Sequence, residues 1–374
     1  MGKNQLIPLT RPTLPKIESL TDKIAEILKS GMITDSKYVR LFEEECAKYL
    51  GVKYAVAVSC GTDALMMVLK CLDIKGEVIL PSFTYSSGGH ALLLSRIKPV
   101  FVDIEEETFN LDPKKIEAKI TGNTAAIMPT HVFGNPCDID RIEAIGRKNN
   151  LKIIYDGAHA FGSLYKNKSV AKFGDATIYS FTPTKVLTSG EGGLVVTDDR
   201  ELDRKLRLAK LNGDSFNRDE EFLGFTARMS ELQAILGLES LKLLDKSLQK
   251  RFKIIDYFKK VINSLDGISY QKIAPSSKSV YKDFAIIIDD KKTGFTRNEL
   301  LAEFKKNNIQ SKVYFDPPLH KKNVYAAYKS LILPNTDYVS SHILSLPLYS
   351  HMPLSEVKRV IKVIVRLFNK NKKI

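Results

Sequence analysis

Two spacings of apolar residues alternate along this chain. Ile17, Leu20, Ile24, Ile27 and Leu28 recur three and four positions apart and the run stops at Gly31, a pattern that predicts one helix over 17–30 closed by a glycine. A second helix is expected over 37–50. Tyr54 to Val58 is instead a short continuous apolar run, as in a strand buried on both faces. Gly61-Thr62-Asp63 then leads directly into a helical stretch, Ala64 to Cys71. The alternation continues, with strands expected at 78–81, 100–104, 125–129, 153–156, 176–181 and 194–197, and helices at 113–120 and 140–149. This order predicts the α/β class, a mostly parallel sheet covered by helices. Residues 206–223 are charged and read as irregular, and a long helix is expected to start near Ser230. Beyond Lys246 the pattern changes to helix, short strand at 284–288, helix at 297–307 and a closing helix at 354–368. The expected division is a large domain over 1–245 and a smaller C-terminal α/β domain over 246–374.

Composition narrows the class. A chain of 374 residues with 44% hydrophobic residues can bury a large core. The first twenty residues carry no apolar segment followed by a cleavage signal, and no run approaches the roughly 18 apolar residues of a membrane span, so a soluble, cytoplasmic protein with no membrane partner is expected. Cys46, Cys60, Cys71 and Cys137 fit neither a zinc nor a redox spacing; they are expected to be reduced and buried, with no metal site. The net charge is +14. Its mild clusters at 246–260 and 369–374 accompany no recognisable nucleic-acid module, so no nucleic-acid partner is expected, while a positive field would suit a diphosphate-bearing substrate.

Chemistry enters at two residues. Asp156 ends the β-branched run Ile153-Ile154-Tyr155, at the strand edge where open α/β sheets bind ligands. Lys185 sits in a small, polar, glycine-containing loop between two expected strands. Either residue alone reads equally as half of an ion pair or a surface group. Together on one sheet edge they suit pyridoxal 5'-phosphate. The amine would carry the cofactor, and an ionised Asp would keep the ring nitrogen protonated, so that the ring can take up the electrons left when a substrate carbon loses its proton. The Gly61-Thr62 turn adds an anion site of backbone N–H groups at a helix start.

The words DGAHAFGS, SFTPTK and SGEGG, in that order, resemble the DegT/StrS family of nucleotide-sugar aminotransferases, fold-type I pyridoxal phosphate enzymes. The resemblance runs from IPLTRP near residue 7 through FEEECAKYLGVKYAVAVSCGTDAL, PSFTY, HVFGNPCDID and RMSELQA to PPLH and LPLYSHM, nearly the whole chain. It implies that Lys185 carries the cofactor and acts as base and acid, and that Asp156 binds the pyridine nitrogen. It also implies that Gly61, Thr62, Asp63 and Ser180 surround the phosphate, that Tyr85 stacks on the ring, and that His159 lies near the phenolic oxygen. Tyr314 and His320 would stand near the entrance and meet the substrate. Gly190, Gly192 and Gly193 would shape the lysine loop, with no chemical role for Glu191 and none assigned to Asp316.

The same resemblance implies a homodimer with shared sites, each receiving Thr226 to Arg228 from the other chain. Arg228, implied to bind the substrate, lies beside Phe225 and Met229, which suits an apolar interface presenting one cation to a phosphate, while an Arg at a helix start reads equally as a solvated surface group. At Thr226, where the resemblance implies a contact to the cofactor phosphate, the chain departs from the family, which commonly has an asparagine there; a hydroxyl can replace one hydrogen bond to phosphate but cannot reproduce an amide's two donors. The implied reaction transfers an amino group, from glutamate, to a keto group of a nucleotide-linked (deoxy)sugar for surface polysaccharide, glycan or antibiotic sugar synthesis. Two alternatives stay open. One is a sugar dehydratase on the same fold, although dehydratase-like members carry histidine in place of the lysine. The other is a non-catalytic DNA-binding regulator, which would have no need to keep Asp156, Ser180 and Lys185 together.

Overall fold

The computed structural model describes residues 5–214 and 219–371. A seven-stranded sheet forms its centre, in the spatial order Tyr54–Val58, Gly193–Thr197, Ala176–Ser180, Lys152–Asp156, Thr124–Ile127, Glu77–Pro81 and Lys98–Val102. The last five of these run parallel, with Ile154 opposite Ala176 and Asp156 opposite Ile178. Every residue of Glu77–Pro81, Ala176–Ser180 and Gly193–Thr197 is buried, as covering on both faces requires. Gly193–Thr197 is antiparallel to both neighbours. The loop before it contains no helix to carry the chain back across the sheet, so the strand turns straight round, and a parallel return would need such a crossover.

Helices Lys37–Leu50, Gly61–Cys71, Ser86–Leu94 and Ile139–Lys148 appear where the spacing places them or between its strands. Two expectations are corrected. Residues 113–120 form only two short 3-10 turns, Pro113–Lys115 and Glu117–Lys119; fewer than three turns of chain with only Pro113 and Ile116 buried cannot offset the cost of helix nucleation. Helix Arg200–Ala209 runs into the segment expected to be irregular, because Leu202, Leu206 and Ala209 give it a buried face.

Helix Glu231–Ile262 begins with a capping box, in which the Ser230 hydroxyl accepts from the Gln233 N–H and the Gln233 side chain accepts from the Ser230 N–H. The expected boundary at 245/246 falls inside this helix. Its first half, with Ala234, Ile235 and Leu238, packs with Phe42 and Phe181 of the large part. Its second half, with Ile255, Phe258 and Ile262, joins the C-terminal core of Phe284, Ile286, Leu346 and Val360. That core is built on the antiparallel sheet Ile268–Tyr270, Phe284–Ile288, Ile343–Leu346 and the helices Arg297–Lys306 and Leu354–Asn371. It also takes in Ile7 from the start of the chain, whereas Leu319, Tyr325 and Leu333 pack on the large core. Among the described residues no helix is long and apolar enough to cross a membrane.

Candidate active site

A cavity of about 520 Å³ opens at the edge where Val58, Pro81, Asp156 and Ser180 end their strands, and residues of the C-terminal part close its far side. One end is the start of helix Gly61–Cys71. The first N–H groups of a helix have no carbonyl partner within it; here the Asp63 N–H is taken by Cys60 Sγ at 3.4 Å, while Gly61 and Thr62 line the cavity. The Ser180 hydroxyl comes up against them, since a Cβ on Gly61 would stand 3.0 Å from the Ser180 Cβ. Thr62 Oγ1 donates to Ser87 Oγ at 3.1 Å. These groups fit one phosphate at a helix N-terminus. Asp63 itself turns away and accepts from the Ser59 hydroxyl; it is not among the cavity-lining residues.

Asp156 lies deep in the cavity, 5% exposed, and accepts a hydrogen bond from the Ala158 N–H at 3.0 Å. Burial pushes its carboxyl above the usual carboxylate range, against the pull of the Ala158 N–H and of the Lys185 charge. A buried cation such as a protonated ring nitrogen would restore its ionised form. His159, next along, accepts from the Phe133 N–H at Nδ1, 3.2 Å away, which leaves its hydrogen on Nε2. Its ring is aligned with those of Phe133 and Phe315, at 6.2 and 6.4 Å. Burial, then the charges of Lys185 and Lys282, hold this imidazole well below the usual histidine range, hence neutral.

Lys185 projects from the loop between Ser180 and Gly193. Gly193 has no room for a side chain, because a Cβ there would meet the Cys60 carbonyl oxygen at 2.4 Å; that contact brings the lysine loop beside the phosphate end. Burial first, and Lys282 second, lower the Lys185 amine to about 7, while Asp156, Asp283 and Glu191 pull it up. An amine that is neutral for much of the time near pH 7 can accept a proton.

Tyr85 lines the cavity with its ring 58% exposed. Tyr314 lines it too, its hydroxyl pushed up to about 12 by burial. His320 is fully buried behind the wall: its Nδ1 is 2.7 Å from Ser82 Oγ and its Nε2 is 3.3 Å from Asp337, so its ring fastens the turn Leu319–Lys321 to a strand end and does not line the cavity. Asp316 pairs with Arg297 at 2.8 Å. Thr226 and Arg228 are both exposed. Arg228 bridges Val58, the Ala227 carbonyl accepts from the Ser59 N–H at 2.9 Å, and Thr226 Oγ1 donates to Asn212 at 2.9 Å; neither residue lines the cavity of its own chain.

Several lining residues escaped sequence reasoning: Glu191, which was assigned no role, and Lys282, Asp283, Lys312 and Phe315. Lys282 and Asp283 stand immediately before the apolar run FAIII, where a charged pair reads as an ordinary strand start.

An anion-binding helix start, a hydroxyl, a buried carboxylate, a neutral imidazole and an amine of lowered basicity fit pyridoxal phosphate part by part. Such a fold and site define a pyridoxal phosphate-dependent enzyme. The chain matches the model of the DegT/DnrJ/EryC1/StrS aminotransferase family over residues 16–365. It is 35% identical to the spore coat polysaccharide biosynthesis protein SpsC of Bacillus subtilis, over 97% of each chain. Its fold superimposes on that of DesI, crystallised in the presence of its TDP-sugar product, with a TM-score of 0.94 and 28% identity, covering 99% of this chain and 95% of that one. NtdA of Bacillus subtilis, solved with bound cofactor PMP, gives a TM-score of 0.87 at 30% identity, covering 94% and 82%. The chain belongs to the DegT/DnrJ/EryC1/StrS aminotransferase family. It has the fold-type I architecture, and its cofactor is pyridoxal phosphate.

Proposed function

We propose that this aminotransferase moves an amino group from glutamate to a keto group of a nucleotide-linked sugar, in the cytoplasm, for a surface polysaccharide or related glycan. The observation that carries the transamination chemistry is Lys185, an amine lowered to about 7 in the same cavity as the buried Asp156. The sugar rests on the relatives, SpsC by its polysaccharide role and DesI by its TDP-sugar product.

In this reading the amides of Gly61 and Thr62 and the Ser180 hydroxyl hold the cofactor phosphate, and Asp156 holds the ring nitrogen as a cation. The bound cofactor supplies an electron sink for the substrate carbon. His159 offers one neutral N–H donor from Nε2. Lys185 Nζ would hold the cofactor and, when not bonded to it, would serve as the base and acid that moves the proton of the substrate carbon. Tyr85 and Tyr314 limit the access of water from the open side.

The working unit in this proposal is a homodimer with shared sites. Support comes from exposed apolar side chains on both stretches flanking the exposed Thr226 and Arg228: Leu223, 83% exposed and three residues before Thr226, and Met32 and Ile33, 58% and 53% exposed. The stretch after Ile33 runs alongside the residues that follow Arg228, since the Asp35 N–H donates to the Met229 carbonyl at 3.2 Å and the Glu231 N–H to the Ile33 carbonyl at 2.9 Å. A second copy covering these side chains would receive Arg228 at its cavity. The function is tested by incubating the holoenzyme with glutamate and a panel of dTDP-, UDP- and GDP-linked keto sugars and detecting 2-oxoglutarate. No product with any sugar, with the cofactor bound, overturns the reading.

A further inference from the structure

We infer that Lys282 and Lys312, which line the same cavity and both lie near the Tyr314 ring, form the subsite for the carboxylates of the amino donor. The inference rests on the aminotransferase reading above and adds which groups of this chain receive the donor. Among the described residues, the cations lining the cavity are Lys185, Lys282 and Lys312, and the acids are Asp156, Asp283 and Glu191. Lys185 is committed to proton transfer and Asp156 to the far end of the cavity. An α-amino acid carries a carboxylate on the same carbon from which Lys185 takes the proton. In a site with little water, that carboxylate needs a counter-charge close to Lys185.

Lys282 meets this need. It is 7% exposed, and its charge is felt at Lys185, which it pushes toward the neutral form. Its backbone is fixed on both sides: the Lys282 N–H donates to the Phe133 carbonyl at 2.9 Å, and buried Arg251 donates to the Lys282 carbonyl at 2.7 Å and to the Tyr281 carbonyl at 2.7 Å. The ammonium has three donors. One goes to Asp283 at 2.8 Å, an arrangement that keeps the charge in the cavity and leaves donors for a second anion. Lys312 is exposed. The two ammonium groups lie 5.1 and 5.7 Å from the centre of the Tyr314 ring, one buried and one open to solvent. That sets an upper bound of about 11 Å on their separation, and the inferred mode puts the α-carboxylate of a dicarboxylic donor at Lys282 and its distal carboxylate toward Lys312.

The test is calorimetric binding to the holoenzyme of glutarate, a dicarboxylate with no transferable amino group, and of dTDP, which carries the diphosphate of a sugar nucleotide. Lys282→Gln should weaken glutarate by about tenfold or more, as expected for loss of a charge-assisted contact, and leave dTDP within about twofold. Lys282→Arg should recover part of the loss. Lys312→Gln should remove the preference for glutarate over butyrate, and Asp283→Asn should tighten glutarate by freeing the shared ammonium. Unchanged glutarate binding in Lys282→Gln overturns the inference, and so does a loss confined to dTDP, which would make the site a diphosphate subsite. If Lys282→Gln loses its cofactor absorption, Lys312→Gln and Asp283→Asn decide: normal glutarate binding in both overturns it. Wild-type turnover of glutamate with unaltered variants sinks the subsite alone. Absence of both glutarate binding and turnover in the wild type sinks the donor assignment together with it.

Discussion

Gly61 and Ser180 are pressed together, with only 3.0 Å between the Ser180 Cβ and the place a Cβ would take on Gly61. A helix start and a strand end, far apart in sequence, thereby converge at one end of the cavity. Gly61→Ala forces these elements apart by a few tenths of an ångström. Cofactor affinity, measured by fluorescence titration of the apoenzyme, is expected to fall about tenfold, roughly 1.4 kcal/mol, with little change in thermal stability. Unchanged affinity would place the phosphate elsewhere.

Asp156→Asn separates binding from chemistry. The amide keeps the size of the acid and leaves the Gly61, Thr62 and Ser180 contacts untouched, but cannot hold a ring nitrogen as a cation. Cofactor content should stay near that of the wild type while kcat drops by about a hundredfold or more. Near-normal turnover would show that another acid serves the ring.

Lys185 makes a prediction about pH. Its amine titrates at about 7 because burial and the Lys282 charge disfavour the protonated form. The neutral, reactive fraction therefore rises as pH increases through 7 and is nearly complete by pH 9, where a lysine of ordinary pKa, about 10.4, is still mostly charged. The rate at which apoenzyme takes up cofactor should follow that curve. Lys282→Met removes a like charge and should move the midpoint upward. A wild-type midpoint near 10 would contradict the desolvated amine.

The shared site is tested by complementation. Lys185→Ala and Arg228→Ala subunits, each inactive alone, are mixed after mild unfolding and reassembled. Random pairing makes half the dimers mixed, each with one site carrying both defects and one carrying neither, so activity should return to about a quarter of the wild-type value. Mixed dimers as inactive as their parents would mean that Arg228 serves its own chain.

Much of the site was legible in sequence because short-range rules govern it. A β-branched run ending in Asp156, a glycine turn into the helix Gly61–Cys71 and a polar loop bearing Lys185 are local signals, and the strands and helices they belong to stand where the apolar spacing puts them. The 3-10 turns at 113–120 were misread because burial decides whether so short a stretch is worth nucleating, whereas the helix Arg200–Ala209, which runs into the segment read as irregular, was missed although Leu202, Leu206 and Ala209 recur at helical spacing among its charged residues.

Local sequence by itself determined the alternation of strands and helices, the acid at a strand end and the amine in a loop, since each depends on a residue and its near neighbours. Tertiary structure alone decided the rest. The antiparallel turn of Gly193–Thr197, the passage of helix Glu231–Ile262 through both cores and the docking of Ile7 on the C-terminal part follow from which apolar faces meet. Lys282 reaches the cavity because Arg251 and Phe133, 31 and 149 residues away in sequence, anchor its backbone there. The low basicity of Lys185 has the same origin: desolvation and a neighbouring charge act through space, and no spacing along the chain records them.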